Sequence, residues 1–274
     1  MIGVFDSGSG GLTILKALTE RLPDQDFLYF GDHDNAPYGH RSNEQIVELT
    51  KAGVAHLMGA GCHLVILACN TAAAVALRTL QENWLPVHFP ENRILGVLVP
   101  MVEAITGVPW SQQNSTATGN SDRILLLATQ KTVASNAYPQ EIVKRAPQVE
   151  LIQKACPGLV DAIEGGAGPE PLQGLIEGFI REINTDGVTK AVLGCTHFPL
   201  VEDCFRTALP TGLTILSQPD IVSEALANYL INHREYAVTG SGTISLLTTG
   251  DPETANKVSR KFIDEKSKFT PANL

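Results

Sequence analysis

The chain has 274 residues, 43% apolar and 18% charged, with a formal charge of −9 and five cysteines. That length supports one large domain or two modest ones, and the negative charge argues against a nucleic-acid backbone or an anionic membrane as partner. An odd cysteine count outside any small disulfide scaffold points to free thiols in a reducing compartment; no run reaches the length of a membrane span, and the N-terminus lacks a basic leader, so a cytoplasmic protein is expected.

Ile2 to Phe5 reads as a short strand, followed by Asp6-Ser7-Gly8-Ser9-Gly10-Gly11 and a helix from Leu12 to Arg21. The glycines permit close backbone approach to an anion, but the spacing matches neither the dinucleotide fingerprint nor the P-loop. Asp6 is therefore either a helix cap or a binding group. Asp26 to Phe30 is a second strand, leading into a polar loop over residues 31–42, where Ser42 caps a helix over residues 43–59. Asp32, His33, Asp34 and His40 in that loop invite a metal reading. They lack a recognised ligand spacing, so a solvated loop is preferred.

Leu64 to Ala68 is a continuous apolar run, as expected of a parallel strand covered on both faces. It ends at Cys69, with Asn70 and Thr71 as helix caps before an Ala-rich helical segment. Residues 84–92 read as a Pro-containing connection, 93–99 as a strand, and 100–105 as the start of a helix. Residues 110–122 read as an exposed polar loop, and Arg123 to Ala128 as a buried strand opening through Thr129 and Thr132 into a helix. Residues 149–153 form a further strand before Ala155-Cys156-Pro157 and Glu164, and residues 171–183 are helical. Lys190 to Gly194 then repeats the earlier pattern: an apolar strand ends at Cys195, followed by a capping Thr196 and by His197. Short strands at residues 214–216 and 240–249 and helices from Pro219 and Pro252 complete an α/β alternation with mostly parallel sheets and two similar doubly wound halves.

Each cysteine thus lies at the carboxyl end of a strand, where open α/β sheets place ligands. Structural metal sites need more ligands at closer spacing, and a dithiol redox centre needs a Cys-x-x-Cys motif, which the chain lacks. A nucleophilic Cys195–His197 pair is feasible but leaves Cys69 unexplained. Acid/base work explains both. Inverting a stereocentre takes a proton from one face and delivers one to the other, and a thiol with a pKa near ~8.5 can do either.

The ordered motifs Gly3-Val-Phe-Asp6-Ser7-Gly8-Ser-Gly-Gly, Pro37-Tyr38-Gly39, Ala68-Cys69-Asn70-Thr71-Ala, Ala155-Cys156-Pro157, Gly194-Cys195-Thr196-His197-Phe-Pro-Leu and Thr248-Thr249-Gly250-Asp251 resemble those of the cofactor-independent aspartate/glutamate racemase superfamily, the glutamate racemases in particular. The resemblance implies two α/β domains, residues 1–97 plus 211–274 and residues 98–210, with the active site in the cleft between them. It implies Cys69 and Cys195 as the acid/base pair, Asp6 supporting the first, and Glu164 and His197 the second. Substrate contacts map onto Asp6, Ser7, Tyr38, Gly39, Asn70, Thr71, Thr132, Thr196 and His197. The implied activity is interconversion of L- and D-glutamate, without pyridoxal phosphate or metal, supplying D-glutamate for peptidoglycan. A homodimer is the implied candidate assembly; no nucleic acid or membrane partner is expected. Phe198 stands where the family more often has tyrosine. The alternatives are a racemase of aspartate or another amino acid, a single-cysteine nucleophile enzyme, and an amino-acid-binding protein on the same fold.

Overall fold

A computed structural model describes residues 1–109, 122–237, 240–260, 262–263 and 267–272. All but Asp122 of the polar loop expected at residues 110–122 therefore lies outside the described residues. The described strands are β1 (Ile2–Asp6), β2 (Phe27–Gly31), β3 (Leu64–Leu67), β4 (Arg93–Gly96), β5 (Arg123–Ala128), β6 (Glu150–Ala155), β7 (Val188–Gly194), β8 (Thr214–Leu216), β9 (Ile244–Thr248) and β10 (Phe269–Pro271). They form two parallel sheets, ordered β10-β9-β2-β1-β3-β4 and β6-β5-β7-β8. The run β2-β1-β3-β4 and the whole of the second sheet share one winding: the second strand flanks the first on one side, and the third and fourth follow on the other. Strand order therefore reverses between β1 and β3, and again between β5 and β7. Such a switch point leaves a crevice at the carboxyl ends of the strands.

The first sheet is covered on both faces, which is why its strands read as unbroken apolar runs. Ile2, Val4, Phe27, Tyr29, Leu64 and Ile66 point into one core with Leu12, Leu15 and Leu18 of the helix Leu12–Arg21, and with Val222, Leu226 and Leu230. Phe5, Leu28, Phe30, Val65 and Leu67 point the other way, against Ile46, Val54, Leu57 and Met58 of the helix Asn43–Gly59. Ser42 starts that helix with a capping box: its hydroxyl accepts from the Gln45 amide, and the Gln45 side chain accepts from the Ser42 amide. In the second sheet Leu125, Leu127, Ala191 and Leu193 pack on Leu159, Leu172, Ile176 and Phe205.

The chain divides into one unit of residues 1–97 with 219–274 and another of residues 98–218. The expected return to the first domain at residue 211 comes too early, because β8 hydrogen-bonds to β7 and so belongs to the second sheet. Two further expectations change. The connection at residues 84–92 contains a short helix, Leu85–His88, which holds Pro86 and continues directly from the helical turn Leu80–Trp84. The C-terminal β10 extends the first sheet beyond β9; three residues are too few for a pattern to announce it.

Candidate active site

In the first unit, β1 ends at Asp6 and β3 leads to Cys69, so the two residues sit at adjacent strand tips beside the switch point. Cys69 is itself the cap of the helix Asn70–Val75: its Sγ accepts from the Ala72 amide at 3.4 Å. Asn70 and Thr71, expected as caps, instead form the buried first turn. The Ser7 hydroxyl lies 3.4 Å from the same sulfur. Cys69 is thus held by an amide and a hydroxyl at a helix start, where negative charge is favoured.

Asp6 does not cap the helix that follows; that position falls to Gly11, which makes no side-chain bond. Its Oδ1 accepts instead from the Gly8 amide at 2.9 Å, folding the turn back over the carboxylate. The approach is so close that a Cβ on Gly11 would stand 2.6 Å from the Asp6 Cβ. Tyr38 is buried, and its hydroxyl donates to Asp32 Oδ2 at 2.6 Å. Burial first, then the negative charge of Asp32, push this phenol far above its usual range, and Cys69 and Asp6 act in the same direction. Tyr38 therefore stays a donor. Gly39 follows it in the short 3-10 turn Tyr38–His40.

In the second unit, Cys195 directly follows β7 and is buried. The helix expected behind Thr196 begins later: His197 precedes the 3-10 turn Phe198–Val201, which runs straight into the helix Glu202–Ala208. Thr196 is buried. His197 Nδ1 lies 3.9 Å from the Cys195 sulfur, and its Nε2 lies 2.8 Å from Glu164 Oε1. Burial alone would lower the pKa of this imidazole, but Cys195 and Glu164 outweigh it and hold the value at about 10. At neutral pH the ring is therefore a cation between a sulfur and a carboxylate. Thr132 sits in the first turn of the helix Gln130–Ala134 that follows the neighbouring β5, buried, 3.0 Å from the capping Thr129 Oγ1 and with its amide donating to that oxygen.

Each expected residue thus falls at one of two strand-tip clusters: Asp6, Ser7, Tyr38, Gly39, Cys69, Asn70 and Thr71 in the first unit, and Thr132, Glu164, Cys195, Thr196 and His197 in the second. Burial pushes Cys62 up to about 11, and burial with the nearby Cys195 pushes Cys156 up to about 12. Asp32 and His33, weighed above only as metal ligands, turn out to be hydrogen-bond hubs: Asp32 takes Tyr38, Asn35 and Thr249, and His33 takes Ser9 and Thr248. The signal was the late Thr248-Thr249 pair, whose partners no local pattern reveals. His40 is exposed at the end of its turn.

Among the described residues no helix is long and apolar enough to cross a membrane. The family model for Asp/Glu/hydantoin racemases matches residues 2–226. A glutamate racemase of Phenylobacterium zucineum is 45% identical, covering 99% of each chain. Among solved structures, the glutamate racemase of Thermus thermophilus in complex with β-chloro-D-alanine superposes with a TM-score of 0.84 at 30% identity, covering all of this chain and 96% of that one. That of Francisella tularensis in complex with D-glutamate gives 0.84 at 25% identity, with 100% and 96% covered. A matched winding, a cysteine at each switch point and a family model spanning both units lead to one assignment: the chain belongs to the Asp/Glu/hydantoin racemase family.

Proposed function

We propose that the protein interconverts L- and D-glutamate without a cofactor, using Cys69 and Cys195 as the two acid/base groups. The observation that carries this reading is the matched pair: one thiol at the third-strand tip of each sheet, each with polar groups on its sulfur. The reaction requires the thiols to meet opposite faces of one α-carbon. One thiolate sulfur takes the α-proton, the electron pair passes into the adjacent carboxylate as the Cα–H bond breaks, and the second thiol gives its proton to the other face. The enzyme is left with its two protonation states exchanged, ready for the reverse reaction.

The supports differ in kind. The Ala72 amide and the Ser7 hydroxyl stabilise a Cys69 thiolate, with Asp6 beside them to carry the proton. The His197 cation, held by Glu164, stabilises a Cys195 thiolate and can return its proton. Amides and hydroxyls from Ser7, Gly39, Asn70, Thr71, Thr132 and Thr196 suit the two carboxylates of glutamate, and the named relatives and their ligands favour that substrate over aspartate. We assign the product, D-glutamate, to peptidoglycan synthesis, and the enzyme to the cytoplasm as a homodimer. Chiral analysis of protein incubated with chelator and either glutamate enantiomer tests the reading: formation of the opposite enantiomer is expected. Turnover of aspartate alone would move the assignment to another substrate. Absence of turnover in folded, reduced protein would reject it.

A further inference from the structure

The late Thr248-Thr249 motif and the Asp32-His33 pair take no direct part in the proposed chemistry, yet they hold each other in a defined lattice within the first unit. The His33 ring is fitted closely: a Cβ on Gly31 would meet its Cε1 at 2.5 Å, one on Gly250 would meet its Cβ at 3.0 Å, and Phe269 packs edge-on at 5.1 Å between centroids. Its Nδ1 lies 2.8 Å from Thr248 Oγ1 and 3.1 Å from the Gly31 carbonyl. Because that carbonyl only accepts, the tautomer with hydrogen on Nδ1 suits this end of the ring. Nε2 then accepts from the Ser9 hydroxyl at 2.8 Å.

Ser9 closes the Asp6–Ser9 turn, whose Gly8 is pinned on both sides: its carbonyl accepts from the Tyr29 hydroxyl at 2.7 Å, and its amide donates to Asp6. Ser7, against Cys69, lies between these anchors. One residue along from Thr248, the Thr249 hydroxyl donates to Asp32 Oδ1 at 2.8 Å, and Asp32 Oδ2 in turn fixes the Tyr38 hydroxyl.

We propose that Thr248 and Thr249 form a bracket with two arms, His33 acting through Ser9 on the Asp6–Ser7 turn and Asp32 acting on Tyr38, so that these four are positioning residues for the Cys69 side of the reaction. The inference rests on the two-cysteine reading above. A glycine-rich turn has little conformational preference of its own, and a misplacement of about 1 Å at a reacting group costs up to ~100-fold.

The test uses the full chain with Thr248→Val, Ser9→Ala, His33→Phe and the His33→Phe/Ser9→Ala double variant, each shown to be folded by thermal melting. Rates in both directions are measured with α-deuterated substrate and in deuterated water. Each single variant is expected to lower kcat by about tenfold or more while KM stays within about threefold. The double variant should fall no more than about threefold below the worse single, since both changes cut one chain of contacts. If the damage lies at Cys69, the substrate isotope effect rises in one direction, where Cys69 removes the proton. The solvent effect rises in the other, where Cys69 returns it. Unchanged kcat, additive losses, or a substrate effect that rises equally in both directions would overturn the proposal. Folded, reduced wild-type protein that racemises neither glutamate nor aspartate rejects the two-cysteine reading instead, before any variant is made.

Discussion

The two cysteines occupy equivalent strand tips in sheets of the same winding, yet their surroundings differ. Cys69 caps a helix and is held by an amide and a hydroxyl, both neutral. Cys195 is followed by a 3-10 turn that leads into the helix Glu202–Ala208, and it faces an imidazole–carboxylate pair. One thiol relies on fixed dipoles and backbone geometry, the other on a mobile proton and a charge. A thiolate can be stabilised either way, and the difference predicts different weaknesses. The first cluster should be sensitive to the shape of its turn, the second to pH.

The largest effects should come from the sulfurs. Cys69→Ser and Cys195→Ser should each lower racemisation by about 10³-fold or more in both directions, because losing either proton carrier stops the cycle. A Cys69→Ser enzyme that keeps near-full activity would favour the single-cysteine alternative. Next comes Glu164→Gln, expected to reduce kcat by about 10²-fold. Without the carboxylate, the His197 pKa should drop from about 10 towards the unperturbed ~6.5, as read by NMR titration of the ring. The folded value lies above the unfolded one, so the proton's contribution to stability is complete below pH ~6.5 and is lost as pH rises through about 10. Glu164→Gln should flatten that slope in denaturant titrations across pH.

Gly11→Ala probes the other cluster. A Cβ 2.6 Å from the Asp6 Cβ should cost about 1–3 kcal/mol by chemical denaturation and reduce turnover, leaving the His197 titration where it was. A change in that titration would mean that the two clusters are not independently built. The smallest effect is expected at Cys156, whose thiol burial keeps neutral. Cys156→Ala should cost about 1 kcal/mol of stability and leave kcat within about threefold.

Much of this was legible in the sequence, for physical reasons that can be named. The strands β1, β3 and β5, and the second half of β7, read clearly because burial on both faces demands unbroken apolar runs, and an α/β alternation constrains how such strands can be wound. The tip positions of Cys69 and Cys195 follow from those runs. What was misread was local capping. Asn70 and Thr71 were read as caps, and Asp6 was left open between a cap and a binding group, but which atom takes a free amide depends on a turn geometry set by tertiary contacts: Gly8 claims Asp6, and Ala72 claims Cys69. The resemblance assigned Glu164 and His197 together to Cys195, but their direct bond across 33 residues and the lattice from Thr248 to Ser9 follow no local pattern, because hydrogen bonds between distant loops leave no periodicity. The boundary near residue 211 failed for the same reason: β8 is only three residues long, and its sheet is decided by its partner.

The most direct measurement is early-time isotope tracing in deuterated water, comparing the α-position of newly formed product with that of unreacted substrate. With two thiols, the proton removed by one is not the one delivered by the other, and the delivering thiol has equilibrated with solvent. The account therefore predicts product that carries deuterium at the α-carbon from the first turnovers, while recovered substrate remains protiated. Product that retains the substrate's own proton, in either direction, would show that a single group serves both faces and would contradict the assignment of Cys69 and Cys195 as separate acid and base.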